Sequence, residues 1–238
     1  MRKNILISGA NRGLGFEAAK QLAKKGYKVF LGCRDIDKGT KAAQDLLSQN
    51  LDVEIVKLDV TKINQIKDLA NDLKKREITI DILINNAGVF LESDGPLDKS
   101  RSSVLEVDPI IVLKTIETNT MGALNLVQVF APEMKERKAG RIINVSSGMA
   151  QLKGMQGYFP GYRMSKVSLN ALTKMLASEL GEFGIYINSV CPGWVRTDMG
   201  GPQANLSISE GVETILWLVD CEPSPQGDFL RDKKPIEW

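Results

Sequence analysis

A chain of 238 residues, 43% hydrophobic and 25% charged, has the composition of an ordinary globular protein and the length of one α/β domain with a full core. Its 31 Lys and Arg stand against 29 Asp and Glu, interleaved along the chain, which argues against a nucleic-acid surface; no run of about 18 apolar residues offers a membrane span. Histidine is absent, which removes Ser-His-Asp catalysis, His-containing zinc sites and the commonest general acid together.

The apolar pattern begins at Ile5, leaving no room for a cleavable signal, and Cys33, Cys191 and Cys221 form no CxxC pair. A soluble, cytoplasmic protein with reduced thiols and no metal site is the expectation.

The first strand is predicted over residues 4–8. It runs into Ser8-Gly9-Ala10-Asn11-Arg12-Gly13-Leu14-Gly15 and then a helical pattern over 13–25. Glycines let backbone approach a pyrophosphate, and the helix N-terminus offers free N–H groups and partial positive charge to hold it. The spacing is GxxxGxG, not GxGxxG. A second strand, 27–33, ends at Cys33-Arg34. NAD-specific sites carry a carboxylate there for the adenosine ribose; here Arg34, with Arg12 from the glycine turn, offers guanidinium groups for a 2′-phosphate. That favours NADP(H) over NAD(H), unless Asp35 diverts Arg34 into a local ion pair.

Helical spacing over 37–48 and 61–75, with Thr61 as N-cap, separates further strands at 53–58 and 80–85. The helical stretch 109–138 holds the polar Thr118-Asn119-Thr120 at its middle, so a bend or irregularity is expected there. A fifth strand over 141–146 ends at Ser146-Ser147, on the sheet edge that faces ligands in parallel folds. A hydroxyl there can hold a substrate oxygen, but without histidine Ser147 is no nucleophile.

Tyr162-Arg163-Met164-Ser165-Lys166 opens a helix marked by Leu169, Leu172, Leu176 and Leu180. Residues four apart share one face. An ammonium about 5.5 Å from the phenol contributes about 3 kcal/mol toward phenolate at an effective dielectric near 20; with the charge of an oxidised nicotinamide, this lowers the tyrosine toward the working pH. A strand over 186–190, a helix over 207–219 between two breaker clusters, and a final edge strand near Phe229 complete the chain. Near-continuous apolar strands such as Ile142-Ile143-Asn144-Val145 are those of a parallel sheet covered on both faces. The expected fold is therefore a Rossmann-type, doubly wound αβα sandwich with a mostly parallel seven-stranded sheet, residues 1–238 forming one domain.

Together these residues resemble the short-chain dehydrogenase/reductase family, in its compact branch. Gly9, Gly13 and Gly15, Asp59-Val60, Asn85-Asn86-Ala87-Gly88, Asn119, Ser147, Tyr162, Lys166 and the segment Cys191-Pro192-Gly193-Trp194-Val195-Arg196-Thr197-Asp198-Met199 follow the family order, with wording most like the carbonyl reductase subgroup. The resemblance implies NADPH-dependent reduction of a ketone or aldehyde, reversibly oxidation of an alcohol, with Tyr162 as proton donor. It also implies that Asn11 and Leu14 of the glycine turn, and Val60, touch the coenzyme. Asp59 would bind the adenine amino group, and Asn86, Ala87 and Gly88 would line the adenosine ribose side. Val195 and Thr197 would hold the carboxamide, Lys166 the nicotinamide ribose, and Asn119 a broken helix and a water chain from Lys166. Homo-oligomers occur in the family through the helix around Asn119.

The chain departs from the family pattern in three places. Ser8 stands where Thr is usual, the Ser147–Tyr162 gap is about two residues longer and rich in Gly and Pro, and the stretch from Gly88 to Asn119 is long. The choice between Ser146 and Ser147 stays open. Met149, Leu152, Trp194 and Met199 suggest an apolar substrate pocket. The rival reading is a non-catalytic NADP-binding redox sensor, which would need no proton donor.

Overall fold

The computed structural model describes residues 3–92 and 102–238. Eight strands form one sheet: β1 (Asn4–Ser8), β2 (Lys28–Cys33), β3 (Val53–Lys57), β4 (Ile82–Asn85), β5 (Gly140–Val145), β6 (Ile185–Val190), β7 (Phe229–Arg231) and β8 (Lys234–Pro235). The order is β3-β2-β1-β4-β5-β6-β7-β8, parallel throughout except for β8. The order reverses direction between β1 and β4, and a crevice opens there at the carboxyl ends of the strands.

Alternation along β1 divides the interior. Ile5 and Ile7 enter one apolar layer with α1 (Gly13–Lys24), α2 (Ile36–Ser48) and the last helices. Leu6 enters the other, with α3 (Ile63–Lys75), α5 (Gly122–Arg137) and α6 (Pro160–Leu180). Both faces of the sheet are thus dry, which is why its strands are apolar at nearly every position. No helix of the described residues is long and apolar enough to cross a membrane.

The sheet has eight strands instead of seven. The extra strand has only two residues, too few to show any periodicity. It returns along β7 through Asp232 and Lys233, whose φ of 50° and 62° make the two-residue turn that suits hairpin twist.

Thr61 is not the N-cap of α3. Its hydroxyl donates to Asp59 Oδ1 at 2.8 Å, and its N–H donates to the same oxygen at 3.0 Å. A carboxylate two residues back closes a local turn instead, and the helix starts at Ile63. The predicted helix over 207–219 is two pieces, α7 (Ile208–Gly211) and α8 (Glu213–Asp220), the first opened by a reciprocal Ser207–Glu210 capping box.

The expected irregularity in 109–138 is a π-turn, Glu117–Met121, between α4 (Pro109–Ile116) and α5. Asn119 sits inside it, 2% exposed. Its amide donates to Val89 O at 2.9 Å and to Ser165 Oγ at 3.0 Å, while its carbonyl accepts the Val89 N–H at 2.7 Å. Widening the helix by one residue aims this side chain at two other elements, a use typical of π-bulges at functional positions.

Candidate active site

The glycine turn after β1 is shaped by close approach. Gly9 has φ 67°, and a Cβ there would lie 2.9 Å from Ala87 Cα. A Cβ on Gly15 would collide with Asn86 Nδ2 and lie 2.6 Å from the Gly9 carbonyl. The Asn86 amide occupies that space and donates to the carbonyls of Ser8 and Gly9 at 2.9 and 3.0 Å. Ser8 Oγ accepts the N–H groups of Asn86 and Ala87 at 3.1 and 3.0 Å, so serine does here what a threonine hydroxyl would. Gly15→Ala is expected to lower stability by about 1–3 kcal/mol through overpacking, measurable by urea denaturation.

The cleft above this turn has a volume of about 400 Å³. Gly9, Asn11, Arg12, Gly13 and Leu14 line one wall; Arg34, Asp59 and Val60 line the far end. Asn86, Ala87 and Gly88 form its floor, and Tyr162, Lys166 and Thr197 close the near end. Gly15 lies beneath the turn, and Val195 is 4% exposed, held by a bridge to Leu206 behind Thr197. The N-terminus of α1 has no side-chain cap, leaving its first N–H groups free for an anion.

Two electrostatic expectations change here. Arg12 does not join Arg34 but pairs with Asp198, Nη1 to Oδ2 at 2.6 Å. Both side chains are more than 70% exposed, so water screens the pair and it holds little energy against a competing phosphate. Asp35 does not divert Arg34. It caps α2 by accepting the Lys38 N–H and pairs with the Lys38 ammonium, and among the described residues no ion pair holds Arg34.

Tyr162 and Lys166 lie on the first turns of α6. Lys166 is 4% exposed; its Nζ donates to Val145 O at 2.8 Å and stands 5.7 Å from the Tyr162 ring centre. A Cβ on Gly88 would lie 3.3 Å from Asn119 Oδ1 and 3.6 Å from Lys166 Nζ, so both groups stand next to the floor glycine. The Ser147 hydroxyl stands close enough to the Tyr162 phenol to lower its pKa, and it accepts the Met149 N–H at 3.1 Å. Ser146 is 2% exposed with its hydroxyl 3.5 Å from the Lys166 carbonyl. Ser147 is the serine beside the phenol.

The phenol does not titrate low in this state. Although Tyr162 keeps some exposure as a residue, burial pushes the phenol up to about 12, with the Ser147 hydrogen bond pulling it down and the Cys191 thiol pushing it up. Burial alone lowers the Lys166 ammonium to about 8. The desolvation cost of each ion outweighs the attraction expected between them.

Of the four residues expected to form an apolar pocket, Met199 lines the cleft. Trp194 and Leu152 are exposed, and Met149 is half-buried in the turn after Ser147. Asp198 was visible in the sequence only as part of a motif; its partner is 186 residues away.

A dinucleotide-type cleft at the switch point of a doubly wound sheet, closed by a Ser-Tyr-Lys cluster, is the architecture of a nicotinamide-dependent dehydrogenase. The short chain dehydrogenase family model matches residues 3–205, and the chain belongs to that family. Its relatives include Carbonyl reductase [NADPH] 1 of Sus scrofa, 30% identical over 98% of this chain and 93% of the relative, and that of Mus musculus, 30% identical over 100% and 99%. Among solved structures, NADPH-bound carbonyl reductase from chicken fatty liver superimposes with a TM-score of 0.87 at 29% identity. Carbonyl reductase Sniffer of D. melanogaster gives 0.87 at 28%. Both alignments cover 100% of each chain.

Proposed function

We propose that this protein reduces the carbonyl of a small hydrophobic ketone or aldehyde with NADPH, one domain carrying both the coenzyme and substrate sites. The observation that carries this reading is the Tyr162 ring, its centre 5.7 Å from the Lys166 ammonium, with both residues lining the cleft beside the glycine turn.

The cleft fits the coenzyme on its own features: a turn whose Gly9 and Gly15 leave no room for a Cβ, an uncapped helix N-terminus, and Arg12 and Arg34 on its lining. When bound there, NADPH supplies the hydride. Arg34 takes the 2′-phosphate, joined by Arg12 on leaving Asp198. Asp59 and Asn86 to Gly88 hold the adenosine side, and Val195 and Thr197 the carboxamide. Ser147 holds the substrate oxygen, Tyr162 delivers its proton, and Lys166 stabilises the phenolate left behind and bonds the ribose. Asn119 braces this end of the site through Val89 and Ser165. With three unpaired cysteines, we assign the enzyme to the cytoplasm.

NADPH and NADH consumption over a panel of aldehydes and ketones tests the proposal. Turnover with NADPH and several apolar carbonyls is expected; none with any carbonyl, alongside tight NADPH binding, would favour a sensor. A pH signature follows from Lys166. Its ammonium is present below about 8 and lost as pH rises through that value, so kcat/KM for reduction should fall above about pH 8. The phenol, protonated to about 12, does not produce that limb.

A further inference from the structure

We propose that Glu92, outside the cleft, is the residue that positions Tyr162, clamping the first turn of α6 from a segment about 70 residues earlier in the chain. The inference rests on Tyr162 being the proton donor.

Helix α6 begins without a cap of its own. Phe159, at φ 58°, offers no side-chain bond, and Pro160 has no N–H. The next donors, Gly161 and Tyr162, are left without intrahelical acceptors, as the first N–H groups of any helix are. Glu92 satisfies both: Oε1 accepts the Gly161 N–H at 2.7 Å and Oε2 accepts the Tyr162 N–H at 2.7 Å. The residue is 3% exposed, a rare setting for a carboxylate. Its charge lies at the positive end of a 21-residue helix, within electrostatic range of Arg163.

The fit is specific. A Cβ on Gly161 would lie 3.1 Å from Glu92 Cδ and 3.0 Å from Val112 Cα, so a glycine is what admits the carboxylate. The same segment grips the site again just upstream. Val89 exchanges two hydrogen bonds with Asn119, and the Phe90 ring lies 4.6 Å from the Tyr162 ring and 5.0 Å from that of Phe159. The floor of the cleft, the π-turn and the tyrosine are thereby tied into one body, with Glu92 holding the tyrosine's backbone and Phe90 its ring. Without the clamp, the turn that frays first is the one bearing the phenol. A shift on the order of 1 Å there can cost about 100-fold in rate.

The test compares Glu92→Gln, Glu92→Asp and Gly161→Ala with wild type and Tyr162→Phe. Glu92→Gln keeps the shape but turns an amide N–H₂ toward a backbone donor. It should lower kcat for carbonyl reduction about 10- to 100-fold, with KM and the NADPH Kd, read by fluorescence, changed less than about threefold. Glu92→Asp, which keeps the charge, should recover part of that loss, and Gly161→Ala should reproduce it. The inflection in the pH profile of alcohol oxidation should move to higher pH as the phenol loses its hold on Ser147. Wild-type kcat and an unmoved profile in Glu92→Gln would overturn the role, as would a loss matching the unfolded fraction. Should Glu92→Gln not fold, wild-type kcat in Gly161→Ala would overturn it equally. If Tyr162→Phe retains full activity, it is the proton-donor reading that fails, whatever Glu92 does.

Discussion

Tyr162→Phe is expected to lose about 10²- to 10⁴-fold in kcat for carbonyl reduction, the usual contribution of a positioned general acid, while binding NADPH as tightly as wild type. The ring is held by packing, not by its hydroxyl: Phe90 and the first turn of α6 fix it. Removing the oxygen therefore takes away the proton and its approach to Ser147 and little else. Among the described residues, no other hydroxyl or carboxyl side chain is placed beside the Ser147 hydroxyl to replace it. Histidine is absent, Ser147 has no base to work with, and the Lys166 ammonium is held toward Val145 O at 2.8 Å, 5.7 Å from the centre of the tyrosine ring. Stopped-flow measurement of NADPH oxidation separates the chemical step from binding, and single-turnover rates within a few-fold of wild type would rule out the assignment.

Arg34→Asp is expected to reverse the coenzyme preference. The guanidinium stands at the end of β2 with no ion pair among the described residues, since Asp35 is committed to α2 and Lys38. Its whole interaction is available to a 2′-phosphate. Loss of a charge-assisted pair, with a carboxylate put in its place, corresponds to about 3 kcal/mol, on the order of a 100-fold fall in the NADPH to NADH ratio of kcat/KM. NADH should gain, because a carboxylate at this point can accept from both ribose hydroxyls. Steady-state kinetics with the two coenzymes decides it: an unchanged ratio assigns the 2′-phosphate elsewhere, with Arg12 the first alternative.

Most of the architecture was legible because both of its periodicities are local. The β-branched runs and the three-and-four spacing of the helices need no knowledge of distant residues, and a nearly parallel sheet follows from their alternation. Tyr162 and Lys166 were legible for the same reason, since one helical turn fixes their separation. The irregular turn at Asn119 showed as polar residues inside an apolar helix.

What the sequence hid was long-range or too short. Strand β8 spans two residues. Arg12 meets Asp198 across 186 residues, and Glu92 in isolation is one more acidic residue in a polar stretch. A signal for it existed: α6 opens with Phe159-Pro160-Gly161 and no Ser, Thr, Asp or Asn to cap it, which implies a cap from elsewhere. The high phenol pKa of the coenzyme-free chain was hidden for a different reason. The sequence shows the distance between two charges along a helix but not the burial of both, and burial dominates here.

The pH dependence of alcohol oxidation, followed as NADPH formed by wild type and Tyr162→Phe side by side, tests the central claim most directly. The phenol takes the alcohol proton only as phenolate, so the wild-type rate should climb with pH as the phenol ionises, and that climb should vanish from the low residual rate of the variant, whatever limb Lys166 adds near pH 8. The same climb, with the same midpoint, in the protein without the hydroxyl would contradict the account.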